Sequence, residues 1–256
     1  MFEGRHVAVV MPAYNVQARV AGAVCSVPDF VDEVVVVDDA SEDGTARVLA
    51  ALSRPGLTVL THEKNRGVGA AICSGAAHAI TRGAEVVAVM AGDGQMDPAD
   101  LAAVLAPVAH GEADYVKGNR FAHQDIWRAM PKSRLVGNMV LSLLTRATSG
   151  YWHIFDSQCG YTAISAGALV AVRGRFYSRY GYPNDLLARL RAVNARVAEV
   201  PVRPVYDGQA SGIRPRTVVY PILFVLLRSM ARRLWQQHRG QLEDRPADQL
   251  LSPLPR

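Results

Sequence analysis

The residues able to do chemistry gather where apolar runs stop. Val34-Val35-Val36-Val37 ends in Asp38-Asp39-Ala40-Ser41-Glu42-Asp43-Gly44-Thr45, and the run 86–90 ends in Ala91-Gly92-Asp93-Gly94-Gln95-Met96-Asp97-Pro98. The run 7–11 ends in Met11-Pro12-Ala13-Tyr14-Asn15, and Asn65-Arg66-Gly67-Val68-Gly69-Ala70 precedes a helical stretch. Paired carboxylates such as Asp38 and Asp39 can accept hydrogen bonds from a base edge or ribose hydroxyls. A turn followed by a helix cap, which Asp43 could supply, accounts for one acid but not for two. Asp93 suits a hard divalent cation, Mg2+ or Mn2+, which binds one or two carboxylates and completes its shell with phosphate oxygens. Such an ion would neutralise charge gathering on a departing diphosphate. Asp93 could instead cap a helix, but Asp97, directly before Pro98, fills that role better. Gly67-Val68-Gly69 is not a dinucleotide fingerprint, which needs its glycines directly after the first strand.

Strands and helices in alternation must hold these groups. The runs 7–11, 34–37, 57–60 and 86–90 are continuously apolar or β-branched, as strands covered on both faces are. Helical patterns at 16–25, 45–52 and 68–81 separate them, which predicts a Rossmann-like α/β fold with a mostly parallel sheet. Ligands of such sheets sit beyond the carboxyl ends of the strands, where the acids fall. Further on, the pattern predicts a helix over 99–108, strands at 115–117, 155–164 and 197–202, and helices over 135–148 and 185–193. A single domain spans 1–240, divided into a nucleotide-binding half (6–118), an acceptor half (119–216) and an amphipathic helix (217–238), with a flexible tail at 241–256.

The 256 residues can bury a core without disulfides, and Cys25, Cys73 and Cys159 show no paired spacing. A reducing, cytoplasmic setting fits. The first apolar run is too short for a signal peptide, and no run approaches the roughly 20 residues of a spanning helix. The net charge of +5 is concentrated late, in Arg203, Arg214, Arg216, Arg228, Arg232, Arg233 and Arg239, a distribution suited to phosphates or an anionic surface. No nucleic-acid module accompanies it. In the late helix, Leu223, Leu226, Leu227, Met230 and Leu234 share a face opposite Arg228 and Arg232. That pattern serves either packing on the domain or shallow docking on a bilayer.

Together, Pro12-Ala13-Tyr14-Asn15, Asp38-Asp39 with Ser41 and Asp43-Gly44-Thr45, Asn65 with Gly67 and Gly69, and Asp93-Gly94-Gln95 with Asp97-Pro98 resemble the family-2 glycosyltransferases. Within them the chain is similar to the dolichol- and polyprenol-phosphate mannosyltransferase-like branch, over about residues 6–235. The resemblance implies a GT-A fold, a divalent cation, and inverting transfer of a hexosyl group from a UDP- or GDP-sugar. It assigns Pro12, Ala13, Tyr14 and Asp39 to the nucleoside, with Asn15, Asp38, Asn65 and Gly67 on the same donor side. Asp93 and Gln95 fall to the metal and diphosphate. Ala91 stands where many relatives carry the first acid of an Asp-x-Asp pair, so metal ligation rests on Asp93. Val16 replaces a glutamate often found against the nucleotide.

For the second half, the resemblance implies that Arg120 and Arg134 bind an acceptor phosphate, that Asp156 contacts the sugar, and that Asp185 lies beside the acceptor. Asp185 would be the base for a hydroxyl acceptor; a phosphate acceptor needs none, and Asp185 could equally be a helix cap. Ser211-Gly212-Ile213-Arg214 resembles a loop closing over the donor, which would bring Arg214 to the diphosphate, with Arg203 second. The leading acceptor is a polyprenyl phosphate, with peripheral contact at the inner face of the membrane; a soluble hydroxyl acceptor is the alternative. A non-catalytic sugar-nucleotide-binding protein also fits these residues. A nucleotidyltransferase does not, because its glycine-rich basic loop after strand one is missing.

Overall fold

The computed structural model describes residues 1–124, 126, 130–174, 176–205, 222 and 224–231, without the side chains of 133 and 134. Seven strands form one sheet in the order β3-β2-β1-β4-β6-β5-β7. They are β1 (Val7–Ala13), β2 (Glu33–Asp38), β3 (Leu57–Thr61), β4 (Val86–Val89), β5 (Tyr115–Asn119), β6 (Thr162–Ser165) and β7 (Val197–Pro201). The first four are mutually parallel, β6 runs antiparallel to both β4 and β5, and β5 pairs parallel with β7. Helices α1 (Val20–Ser26), α2 (Thr45–Ala51), α3 (Val68–Thr81) and α4 (Leu101–Ala109) belong to the first half. The second half adds α5 (Lys132–Ser149), α6 (Ala166–Ala171) and α7 (Tyr182–Ala192). Residues 224–231 form a further helical stretch, here the late helix.

Strand periodicity builds both faces. Val7, Val9, Met11, Val34 and Val36 join a core with Val20, Leu49 and Leu105, while Ala8, Val10, Val35 and Val37 join a second with Ala71, Ala76 and Leu187. Two covered faces explain why the first two strands lack polar alternation. Ala13 pairs with Asp38, and Asp38 with Thr61, so the acid-bearing loops leave the sheet along one edge.

Glycine sets how closely the halves approach. An added Cβ at Gly69, in the first turn of α3, would lie 2.1 Å from the Tyr177 carbonyl oxygen. Gly69→Ala is therefore expected to destabilise the protein by about 2 kcal/mol and lower Tm by roughly 4–8 °C. Gly22→Ala, with nothing within 4 Å of its new methyl, should hold or raise Tm in the same melt.

Three expectations change. The strand anticipated over 155–164 is only β6, because residues 155–160 make side-chain and loop contacts instead of ladder bonds. Helix α1 starts at Val20, not residue 16, since the backbone N–H groups of Val16 and Gln17 are taken by Thr45 Oγ1 and Asp43 Oδ2. The late helix divides its apolar residues differently. Ile222, Val225, Leu226 and Ser229 are buried, while Phe224, Leu227 and Met230 are exposed. Leu226 and Leu227 thus lie on opposite sides; Leu223 and Leu234 lie outside the described residues.

Candidate active site

Three loops at the sheet's carboxyl edge enclose an open cleft of about 370 Å³, lined by Asn15–Arg19, Asp43 and Asp93. Their backbones take left-handed conformations at Asn15 (φ 52°), Ala40 (φ 60°) and Gly94 (φ 71°), as does Gly67 (φ 94°) in the neighbouring 62–67 loop. Such φ values at two non-glycine residues are held by tertiary bonds. Asn15 N–H donates to Ser41 Oγ (3.0 Å), and its Oδ1 accepts from Glu42 N–H (2.8 Å). Asp43 accepts from Gln17 N–H and from both the hydroxyl and N–H of Thr45. The Thr45 hydroxyl is the chief cause of an Asp43 carboxyl held below its ordinary range.

The two adjacent acids divide their work. Asp38, buried, accepts from Ser41 N–H at 3.0 Å and closes the turn after β2. Asp39 is only 3 % exposed. Its Oδ1 meets His62 Nδ1 (2.6 Å) and accepts from Arg66 N–H (2.9 Å); its Oδ2 accepts from Gly67 N–H (2.7 Å). His62 continues to Ser74 Oγ at 2.9 Å. Asp39 therefore fixes the 62–67 loop, leaving Asn65 half-buried at its turn. Replacing it by Asn sets an amide N–H2 against backbone donors. Asp39→Asn is expected to cost about 2 kcal/mol in a urea melt and to weaken nucleotide binding through the displaced loop.

Pro12 and Ala13 contribute backbone, their carbonyls accepting from Gly92 and Asp39 N–H, whereas Tyr14 is exposed beside the cleft. Asp93 is half-buried: Oδ1 accepts from Gln95 N–H at 3.1 Å, and Oδ2 accepts no hydrogen bond from the described residues. Arg19, which the sequence reading passed over, reaches the Asp93 carbonyl at 3.4 Å. Its position at the start of α1 was the available signal. Asp97 caps the turn Pro98–Asp100 by accepting from Ala99 N–H at 2.9 Å.

A divalent cation fits these residues in one way. No group of three or more His, Cys, Asp or Glu side chains among the described residues could hold one unaided. A half-buried carboxylate with an open oxygen at the cleft suits an ion that takes most of its ligands from a diphosphate and water.

In the second half, the acids are engaged. Asp156, fully buried, accepts from Arg120 Nε (2.7 Å), Nη2 (2.9 Å) and N–H (3.2 Å). Asp185, 1 % exposed, meets Arg189 Nε (2.8 Å) and Tyr177 N–H (2.9 Å) through Oδ2, and Arg228 Nη2 (2.7 Å) through Oδ1. Arg203 pairs with Asp97 (3.1 Å) rather than reaching the cleft. The Arg134 side chain and Arg214 lie outside the described residues. His153 donates to the Val197 carbonyl at 2.7 Å.

Lys117 was also passed over. It is wholly buried and donates to the Cys159 carbonyl at 2.7 Å. Burial pulls its pKa down, against the opposing influence of Cys159, Asp156 and Glu199. Burial likewise raises Glu199, which accepts from the N–H groups of Phe155 and Asp156. The signal was a lysine in the middle of a strand that is buried at all five positions.

The parallel half-sheet, the cleft at its carboxyl edge and the acid beyond β4 are the architecture of a GT-A-like α/β fold. The model of the family described as glycosyl transferase family 2 matches residues 8–172. The chain belongs to that family and is a glycosyltransferase. A UDP-N-acetylglucosamine–dolichyl-phosphate N-acetylglucosaminyltransferase of Methanococcus voltae is 28% identical over 77% of this chain and 85% of its own length. An undecaprenyl-phosphate mannosyltransferase of Micrococcus luteus is 31% identical over 77% and 82%. Among solved structures, glucosyl-3-phosphoglycerate synthase from Mycobacterium tuberculosis, with Mn2+ and UDP-glucose, superposes with a TM-score of 0.68. It covers 89% of this chain and 80% of its own at 20% identity, a likeness of fold.

Proposed function

We propose that this enzyme transfers a hexosyl group, with inversion, from a UDP- or GDP-sugar to a polyprenyl phosphate, using a divalent cation. The observation that carries the acceptor is the engagement of Asp156 and Asp185. A hydroxyl acceptor must lose a proton to a base within reach, yet both acids assigned to the acceptor half are buried in ion pairs with arginines. A phosphate monoester arrives already ionised. One of its oxygens forms the bond to the anomeric carbon, the bond from that carbon to the diphosphate breaks, and no proton moves. The polyprenol-phosphate acceptors named for the two relatives support the same reading.

On the donor side, Asp93 would hold the cation, and Gln95 and Arg214 are assigned to the diphosphate on the strength of the family resemblance. When bound, the cation neutralises charge on the leaving nucleoside diphosphate. Asp39 shapes the loop that carries Gly67, and with Tyr14 and Asn15 these residues would bind the nucleoside. Arg120 and Arg134 serve the acceptor phosphate, for which guanidinium geometry is suited. Asp156 sets the orientation of Arg120, and Asp185 positions Arg228 and the late helix.

The test supplies labelled UDP-glucose, UDP-N-acetylglucosamine or GDP-mannose with undecaprenyl phosphate in detergent and Mn2+. Label should enter the organic phase as a lipid-linked sugar for one donor and stay aqueous when EDTA is added. Transfer only to soluble hydroxyl acceptors, or saturable donor binding without turnover, overturns the proposal.

A further inference from the structure

Helix α5 is built inside out. Past Leu135 its buried positions are polar: Ser142, Thr145, Thr148 and Ser149. Thr145 Oγ1 donates to Asn184 Oδ1 at 2.7 Å, and Ser142 Oγ meets Ser157 Oγ at 3.1 Å and accepts from Ser157 N–H at 3.1 Å. Its outward positions are apolar: Val136 (59% exposed), Met139, Val140, Leu143 (55%) and Leu144. These recur at three- and four-residue spacing and form one stripe. A helix on a water-facing surface shows the reverse arrangement.

The late helix extends this face. Ile222 and Leu226 cluster with Leu141 of α5, while Phe224 and Leu227, each 60% exposed, point outward with Met230. Arg146, in the last turn of α5, lies over the exposed rings of Trp152 and Phe155, at 5.8 and 4.6 Å from their centroids. A large contiguous apolar patch on an isolated chain marks a binding surface.

Charge identifies the occupant. Residues 126–155 contain Arg128, Lys132, Arg134 and Arg146 and no acid, and residues 208–242 contain six arginines and no acid. Segments so rich in basic residues and free of acids would repel their counterparts in a second copy of the chain. An anionic lipid surface offers both an apolar interior and the opposite charge, and exposed tryptophan stacked with arginine suits its interfacial zone.

We propose that α5 and the late helix together form a bilayer-docking face, embedded to the depth of one helix side in anionic lipid. This deepens the lipid-phosphate reading above and rests on it for its purpose. The Thr145–Asn184, Ser142–Ser157 and Arg228–Asp185 contacts tie both helices to the acceptor half, so docking sets that half against the membrane from which a polyprenyl phosphate would enter.

The test is cosedimentation of the full chain with vesicles of equal phosphatidylglycerol and phosphatidylcholine, free of polyprenyl phosphate and donor. Wild type should partition at least tenfold more strongly than onto pure phosphatidylcholine. Met139→Glu/Leu143→Glu, altered at exposed positions, should lose at least tenfold in vesicle binding while keeping the wild-type melting temperature and transfer in detergent. Failure of wild type to bind the anionic vesicles overturns the proposal, as does a stable dimer in sedimentation equilibrium that the same double substitution dissolves. Vesicle binding without any sugar transfer to polyprenyl phosphate would instead retain the docking face and discard the acceptor assignment.

Discussion

Asp93→Asn is expected to fold like wild type and to lose sugar transfer by about 10³-fold, the loss of one interaction realised as charge develops on the leaving group. The substitution keeps an oxygen at the position that accepts the Gln95 N–H, so the turn after β4 retains its hydrogen bond. It removes the negative charge and replaces one oxygen with an amide nitrogen that cannot ligate a hard cation. Ala91 leaves no neighbouring acid two residues away to substitute. Two measurements separate chemistry from folding. Melting temperature should stay within a degree or so of wild type, while Mn2+-dependent binding of UDP, followed by calorimetry, should fall at least tenfold. Turnover at the wild-type rate would refute the assigned role.

The second large effect is on stability. Asp156→Ala is expected to destabilise the protein by about 4 kcal/mol and lower Tm by roughly 10 °C. Asp156 is fully buried and accepts three hydrogen bonds from Arg120, whose side chain is only 15% exposed. Removing the carboxylate takes away the acceptor of all three bonds and leaves a cavity at a fully buried position beside the buried Lys117. The loss is therefore larger than the net worth of the pair. The double variant Arg120→Met/Asp156→Leu should recover much of the stability in a denaturant melt but none of the transfer activity. Recovery of both would reduce the pair to scaffolding and remove Arg120 from acceptor binding.

Much of the first half was legible because each local signal agreed with the next. The β-branched runs of β1 and β2 are buried on both faces, so no periodicity competed with a strand reading. Helix α3 spans Val68–Thr81 as the spacing predicts, its start marked by Gly67 with φ of 94°. The segment 155–160 misled because its aromatic and apolar residues resemble a strand, whereas a buried ion pair and the Glu199 contacts hold it as a loop. Helix α5 was recognised from its apolar spacing, yet that spacing marks its outer side. Periodicity locates a stripe; it does not say which medium the stripe faces.

What the chain determines by itself is the alternating α/β order, the edge where ligands sit and the acids that reach it, because these follow from strand burial and from loops only a few residues long. Which acids remain open to a ligand is decided elsewhere. Asp156 meets Arg120 across 36 residues of sequence, Asp185 meets Arg228 across 43, and Asp39 meets His62 and Gly67 across 23 and 28. Asp93 has no such partner among the described residues. A carboxylate's availability depends on the cations and N–H groups that folding brings to it, and those come from distant parts of the chain.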